Sequence, residues 1–168
     1  MLVHEIAAGI LGNGCQKLIV LNTGISTLAP VDRALARLDA HRTRHFWIHG
    51  GPRYPRAAKA LAEQSHGSHA DDLETSLMLA IAPHLVNMAR AEASPALKQT
   101  TPGALTLSDP NSPNYSRSGS YGDPTRATAA KGEALLAAML DDLSEQIASF
   151  IAEGADMPRL GASPGVLR

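Results

Sequence analysis

Apolar positions recur along this chain with two different periods. Leu2, Val3, Ile6, Ile10 and Leu11 fall at helical spacing, and Gly12, Asn13 and Gly14 supply the stop. Lys17 to Leu21 (KLIVL) is a short apolar run with a β-branched centre, which predicts a buried strand. Asn22 to Pro30 (NTGISTLAP) is small, polar and glycine-bearing, and reads as the loop that leaves it. Val31, Leu35 and Leu38 mark a helix with Pro30 in its first turn. Phe46, Trp47 and Ile48 form a second strand ended by Gly50, Gly51 and Pro52, and Ala57 to Gln64 is a helix. Ser68 followed by Asp71 resembles a capping box for the next helix, whose core stripe is Leu73, Leu77 and Ile81 and whose end is Pro83. Residues 95–123 are rich in Pro, Ser, Thr, Asn and Gly, with a possible third strand at Leu105 to Leu107. Asp123-Pro124 reads as N-cap and first turn of a last long helix with core positions Leu135, Leu136, Met139, Leu143 and Ile147.

Helices alternating with strands predict an α/β fold. Two strands and a third are too few for a sheet covered on both faces, so the chain reads as starting in the middle of a fold, incomplete at its N-terminus. Residues 1–153 form the domain in this reading, and 154–168 a Gly/Pro-rich, loose tail. An open sheet edge predicts a homo-oligomer, with 95–123 as the arm that reaches a neighbour.

Composition narrows the partners. Lys and Arg total 15 against 16 Asp and Glu, so no basic surplus exists to neutralise phosphates or a membrane surface. The apolar share of 44% is that of a globular chain and argues against disorder. Cys15 is the single cysteine, which rules out an intrachain disulfide and suits a reducing, cytoplasmic setting. The first 14 residues lack a positive leader, and no apolar run approaches the roughly 20 residues of a membrane span.

The candidate chemistry lies in HADDLETSLMLAIAP (His69 to Pro83). Imidazole and carboxylate are common ligands of zinc and manganese, so His69 and Glu74 are candidates for a divalent metal. Their spacing works if His69 sits in the loop before the helix and Glu74 points from its first turns. Glu74 shares a face with Met78 and Ile81, where its carboxylate needs a cation or hydrogen-bond donors. On spacing alone the plainer reading stands beside this one: an N-terminal helical turn whose acidic residues complement the dipole, with Asp71 and Asp72 at the surface. His49 to Pro55 (HGGPRYP) reads as a turn, since it lacks the lysine and spacing of a phosphate loop. His4, His41, His45, His66 and His84 are scattered and structural or exposed. Lys131 and Gly132 read as packing residues, the glycine allowing close helix approach.

Two of these stretches resemble the creatininase (creatinine amidohydrolase) family. HADDLETS (His69 to Ser76) is similar to its signature of a histidine, alanine or glycine, three variable residues and Glu-Thr-Ser. GDPTRATAAKG (Gly122 to Gly132) is similar to its Gly-Asp-Pro-Thr-x-Ala-Thr-x-x-Lys-Gly stretch, and GCQKLIVLN to the strand found earlier in such proteins. The resemblance implies a three-layer α/β fold with a mostly parallel sheet, and metal-dependent hydrolysis of a C–N bond in a small cyclic or linear amide. It implies that Glu74 is a metal ligand and that His69 lies beside substrate as a catalytic residue.

Two departures accompany it. The family's Glu-x-His pair and downstream Asp have no counterpart here, so the divalent metal (Zn or Mn) needs ligands absent from this chain. Gly24 of the NTGIST loop stands where many members carry a histidine ligand, although some relatives share this version of the loop. The alternative implied is a non-catalytic or truncated paralogue that assembles with a full-length relative; a small-molecule-binding domain without chemistry is the third reading.

Overall fold

A computed structural model describes residues 2–67, 69–94 and 106–153. The chain divides into two compact units, one drawn from residues 1–48 and from 143 onward, the other from His49–Asp142.

The first unit is a βαβ arrangement. Helix α1 (Leu2–Gly12) buries Ala7 and Leu11, and ends as expected in a turn where Gly14 takes a left-handed φ of 92°. Strands β1 (Leu18–Asn22) and β2 (Thr43–Trp47) pair in parallel, with Leu18 opposite Thr43 and Asn22 opposite Trp47. Between them run a 3₁₀ turn (Ile25–Thr27) and α2 (Leu28–Leu35), which starts three residues before Val31 and excludes Leu38. The Arg42 guanidinium closes the end of α1, reaching the carbonyls of Leu11 at 3.1 Å and Cys15 at 2.5 Å. Cys15 is half-buried in that turn, its thiol donating to the Lys17 carbonyl at 3.0 Å.

Phe46 meets Phe150 edge to face, with ring centroids 6.4 Å apart. The Lys17 ammonium lies 4.3 Å from the Phe150 centroid and the Arg44 guanidinium 4.8 Å from it. Burial of β1 is less complete than its apolar run suggests, for Leu21 is 49% exposed. The third strand is not formed among the described residues. Leu105 lies outside them, Thr106 makes an isolated bridge to Tyr115, and Leu107 is exposed.

The second unit contains α3 (Arg53–Leu61), α4 (Asp72–Ile81) and the first half of α5 (Ala129–Ala152), whose later residues belong to the first unit. Helix α3 begins four residues before Ala57, with Pro52 as N-cap and Pro55 in its first turn. Both prolines look like loop residues in the sequence, yet a first turn needs no N–H from them. Asp123 does cap Pro124, but the pair opens a single 3₁₀ turn (Pro124–Arg126) and not α5. The long helix takes its own cap from Thr128, whose Oγ1 accepts from Lys131 N at 3.2 Å. Along α5, Leu135, Met139 and Leu143 are buried as expected.

The stripe expected for α4 is corrected by the structure. Ile81 is 59% exposed and Met78 41%, while Asp72 and Ser76 have no exposed surface. Helix α5 approaches so closely that a Cβ on Gly132 would stand 1.9 Å from the Ser76 carbonyl oxygen and 2.9 Å from the Ala80 Cβ. The buried face of α4 is therefore its small, polar face, which admits a neighbouring backbone as Leu does not. The anticipated role of Gly132 in close approach is borne out.

Candidate active site

The turn that opens α4 is built from its own polar residues. Asp71 is the N-cap, its Oδ1 accepting from Leu73 N and Glu74 N at 3.0 Å each. The cap is thus Asp71 and not Ser68, which lies outside the described residues. Glu74 reaches back along the chain, and its Oε2 accepts from Ala70 N at 2.6 Å. This is a capping box displaced by one residue. Ala70, between His69 and the cap, takes a left-handed φ of 46°, which costs about 1–2 kcal/mol for a residue with a Cβ. The His69 carbonyl accepts from Tyr121 N at 2.7 Å. Its ring stays at the surface, with Nδ1 3.7 Å from Glu74 Oε2 and side chains 57% and 45% exposed. That separation is too long for a hydrogen bond and short enough for charge to be felt.

The two family-like stretches interlock. Lys131 Nζ lies 2.9 and 3.1 Å from the two oxygens of Asp72, 3.1 Å from Glu63 Oε1 and 2.9 Å from the Arg126 carbonyl. Burial pulls the lysine's pKa down, but its bonds to Asp72 and Glu63 outweigh this and leave it raised. Ser76 Oγ donates to the Asp72 carbonyl at 2.6 Å and accepts from Thr128 N at 3.1 Å. Gln64 stitches the edge: Nε2 donates to Asp71 Oδ2 at 2.7 Å, while Oε1 accepts from Asp72 N at 3.2 Å and Asp123 N at 2.9 Å. Gly122, at φ 143°, lies so close that a Cβ there would be 2.5 Å from that same Oε1. Asp71 and Asp72 are therefore buried structural groups. The expectation of surface acids is wrong because a lysine and a glutamine supply their partners from a distance in sequence.

A second group within this unit escaped the sequence reading. The buried Asp142 carboxylate accepts from Arg53 N and Tyr54 N at 2.9 Å each, and from Arg53 Nη1 at 3.1 Å. An anion thus sits at the N-terminus of α3, supplied by the chain itself. Burial opposes the charge on Asp142, but these donors win and hold its pKa below the usual carboxylate range. The anchored loop carries His49 stacked on Tyr54, with centroids 4.2 Å apart and planes 8° from parallel. Burial lowers the His49 pKa, partly offset by the Glu74 carboxylate. Burial raises that of Tyr54, with the charges of Asp71 and Glu74 adding to it. HGGPRYP is thus a turn only as far as Pro52; Arg53 to Pro55 open α3, and the aromatic pair joins the two parts. Nothing in the spacing of His49 and Asp142 announces that link.

The remaining histidines fit their plain reading. His4 bonds the Ala34 carbonyl at 2.9 Å, His45 bonds Asp32 at 2.7 Å, and His66 approaches the Ser94 carbonyl at 3.3 Å. In the first unit, the loop with Gly24 closes on itself. Asn22 Oδ1 accepts from Gly24 N at 3.0 Å and from Thr27 Oγ1 at 2.7 Å.

The donors present do not by themselves suit a metal centre. One oxygen of Glu74 is taken by Ala70 N, and the neighbouring donor is the His69 ring. Among the described residues no group of three or more His, Cys, Asp or Glu side chains converges, whereas a catalytic zinc takes three protein ligands. No helix among them is long and apolar enough to cross a membrane.

Comparison with known proteins gives the family of the chain. The family model "Creatininase: Creatinine amidohydrolase" matches residues 1–147. The chain belongs to the creatininase family. A "Mycofactocin precursor peptide peptidase" of Mycobacterium ulcerans (strain Agy99) is 31% identical over 164 residues, covering 88% of this chain. The chain spans 61% of the length of that relative. The crystal structure of a creatinine amidohydrolase (creatininase) superposes with a TM-score of 0.70 at 22% identity, covering 88% of this chain and 61% of that one. A structure described as "Creatininase Mn" gives 0.70 at 23% identity, with 88% and 62% covered. A mutant creatininase of Zn-Zn type gives 0.66 at 21% identity, with 88% and 61% covered. The creatininase-type α/β fold expected from the two motifs is therefore the fold observed, as a part of those longer chains.

Proposed function

We propose that this protein is a creatininase-type amidohydrolase that cleaves a C–N bond in a small cyclic or linear amide or a peptide-derived amide. Water adds to the carbonyl carbon, the C–N bond breaks, and the amine leaves with a proton. His69 is the residue that takes the proton from water and returns it to the nitrogen, with the Glu74 carboxylate 3.7 Å from its Nδ1. The observation that carries this reading is the exposed His69–Glu74 pair at 3.7 Å on an otherwise locked turn. A peptide-derived substrate is supported by the relative named as a peptidase.

A divalent ion, zinc or manganese, would polarise the carbonyl and activate the water. The residues described here offer it two donors, the free oxygen of Glu74 and His69, so the remaining ligands come from elsewhere in the working assembly. No step above is routed through it. We read the protein as cytoplasmic and homo-oligomeric; the exposed stripe Leu2, Ile6 and Ile10 on α1 supports the second point.

The test is hydrolysis of a panel containing creatinine, formamides and short peptides, followed by amine release. His69→Asn is expected to lose roughly 10²–10⁴-fold in rate. A variant as active as the parent removes His69 from the chemistry. The second reading, a non-catalytic subunit, is favoured by the use of Glu74 as a backbone acceptor. It predicts no hydrolysis until a full-length relative is added.

A further inference from the structure

His69 is an exposed side chain on a bend, and an exposed imidazole works only where its backbone is fixed. Its carbonyl is tied to Tyr121 N at 2.7 Å. On its other side comes Ala70, in a left-handed conformation that an alanine leaves unless something holds it. The group that holds it is Glu74 Oε2, at 2.6 Å from Ala70 N. The same oxygen lies 3.7 Å from His69 Nδ1. Glu74 is itself fixed, because its backbone N–H and that of Leu73 donate to the Asp71 cap. Asp71 is buried and bonded by Gln64. A chain of contacts therefore runs from the interior to the surface imidazole.

We propose that Glu74 is a positioning residue for His69: its carboxylate clamps the left-handed bend at Ala70, so the imidazole is held in place by the protein whether or not a metal is bound. The catalytic consequence rests on the role proposed for His69; the clamp does not.

Amide hydrogen exchange at Ala70, followed by NMR on the whole chain with and without a chelator, tests the clamp. A hydrogen bond to a charged acceptor predicts that Glu74→Ala speeds exchange at Ala70 roughly 10–100-fold. Glu74→Gln keeps an oxygen at the same reach and should restore most of the protection. Glu74→Asp keeps the charge one methylene short and should not. This pair decides the matter even if Glu74→Ala fails to fold. The chelator should leave the wild-type rate unchanged. Equal exchange in Glu74→Gln and Glu74→Asp, or loss of protection on chelation, overturns the proposal. In the hydrolysis assay Glu74→Gln, which removes the carboxylate a metal would use, and Glu74→Asp, which draws it back, should both lower kcat with the substrate KM little changed, so the exchange pair alone judges the clamp. Absence of hydrolysis in the parent protein would remove the catalytic reading and leave the exchange result to judge the clamp.

Discussion

The strand pair and the α4 turn are held together by different forces. Around β1 and β2 the buried side chains are mostly apolar: Phe46 stands against Phe150, and Leu11, Leu35 and Leu143 are buried in the same unit. Such contacts are non-directional, and their strength follows the area removed from water. Around the start of α4 the buried groups are Asp71, Asp72, Ser76 and Lys131. Each of these is bonded, and the helices touch through a glycine and a carbonyl. Polar interiors of this kind contribute little net stability when complete and cost heavily when one partner is lost. What they add is geometry: directional bonds fix a turn to a fraction of an ångström, which a greasy contact does not.

Four substitutions probe that contrast, beginning with the largest effect. Lys131→Met leaves the fully buried Asp72 without its cation, and should destabilise the fold by about 3–5 kcal/mol in denaturant titration. Asp72→Leu combined with Lys131→Met should recover much of that loss. Because the folded pKa of Lys131 is raised, its contribution is complete below the ordinary lysine value of roughly 10.4 and fades only as pH rises through the folded value. The parent chain, and not the double variant, should therefore lose stability in strong alkali. Next, Gly132→Ala places a methyl group against the Ser76 carbonyl and should cost about 1–3 kcal/mol by the same measurement. A neutral outcome would mean that α4 and α5 separate easily, against the polar-lock account. Smallest is Leu143→Met in the apolar unit, a swap of similar volume expected to cost less than about 1.5 kcal/mol. A loss as large as that of Lys131→Met would erase the distinction between the two regions.

The same contrast explains what could be read from the sequence. KLIVL and FWI announce β1 and β2 because short apolar runs with β-branched or aromatic residues favour strands, although β1 is only half-buried and β2 (Thr43–Trp47) leaves out Ile48; Leu135, Met139 and Leu143 reveal the inner face of α5 because apolar burial is written in composition. The inner face of α4 was mistaken for Leu73, Leu77 and Ile81, since a rule that seeks apolar stripes passes over Asp72 and Ser76. Asp123-Pro124 carries a genuine start signal, but local chemistry does not tell a one-turn helix from a long one. His69 and Glu74 were legible through family-like wording and are indeed neighbours. The His49–Tyr54 pair and its anchor were not, because Asp142 reaches Arg53 across 89 residues of sequence.

Gln64 illustrates what such directional contacts demand of a genome or a designer. Its amide serves two backbone N–H groups through one oxygen and the Asp71 carboxylate through its nitrogen. Glutamate at this position would face Asp71 with like charge, asparagine would fall short by one carbon, and any apolar residue would strand three partners at once. Sites of this kind have a vocabulary of one. A library that randomises residue 64 while selecting only for a folded chain should return glutamine far more often than the composition of the surrounding surface would suggest.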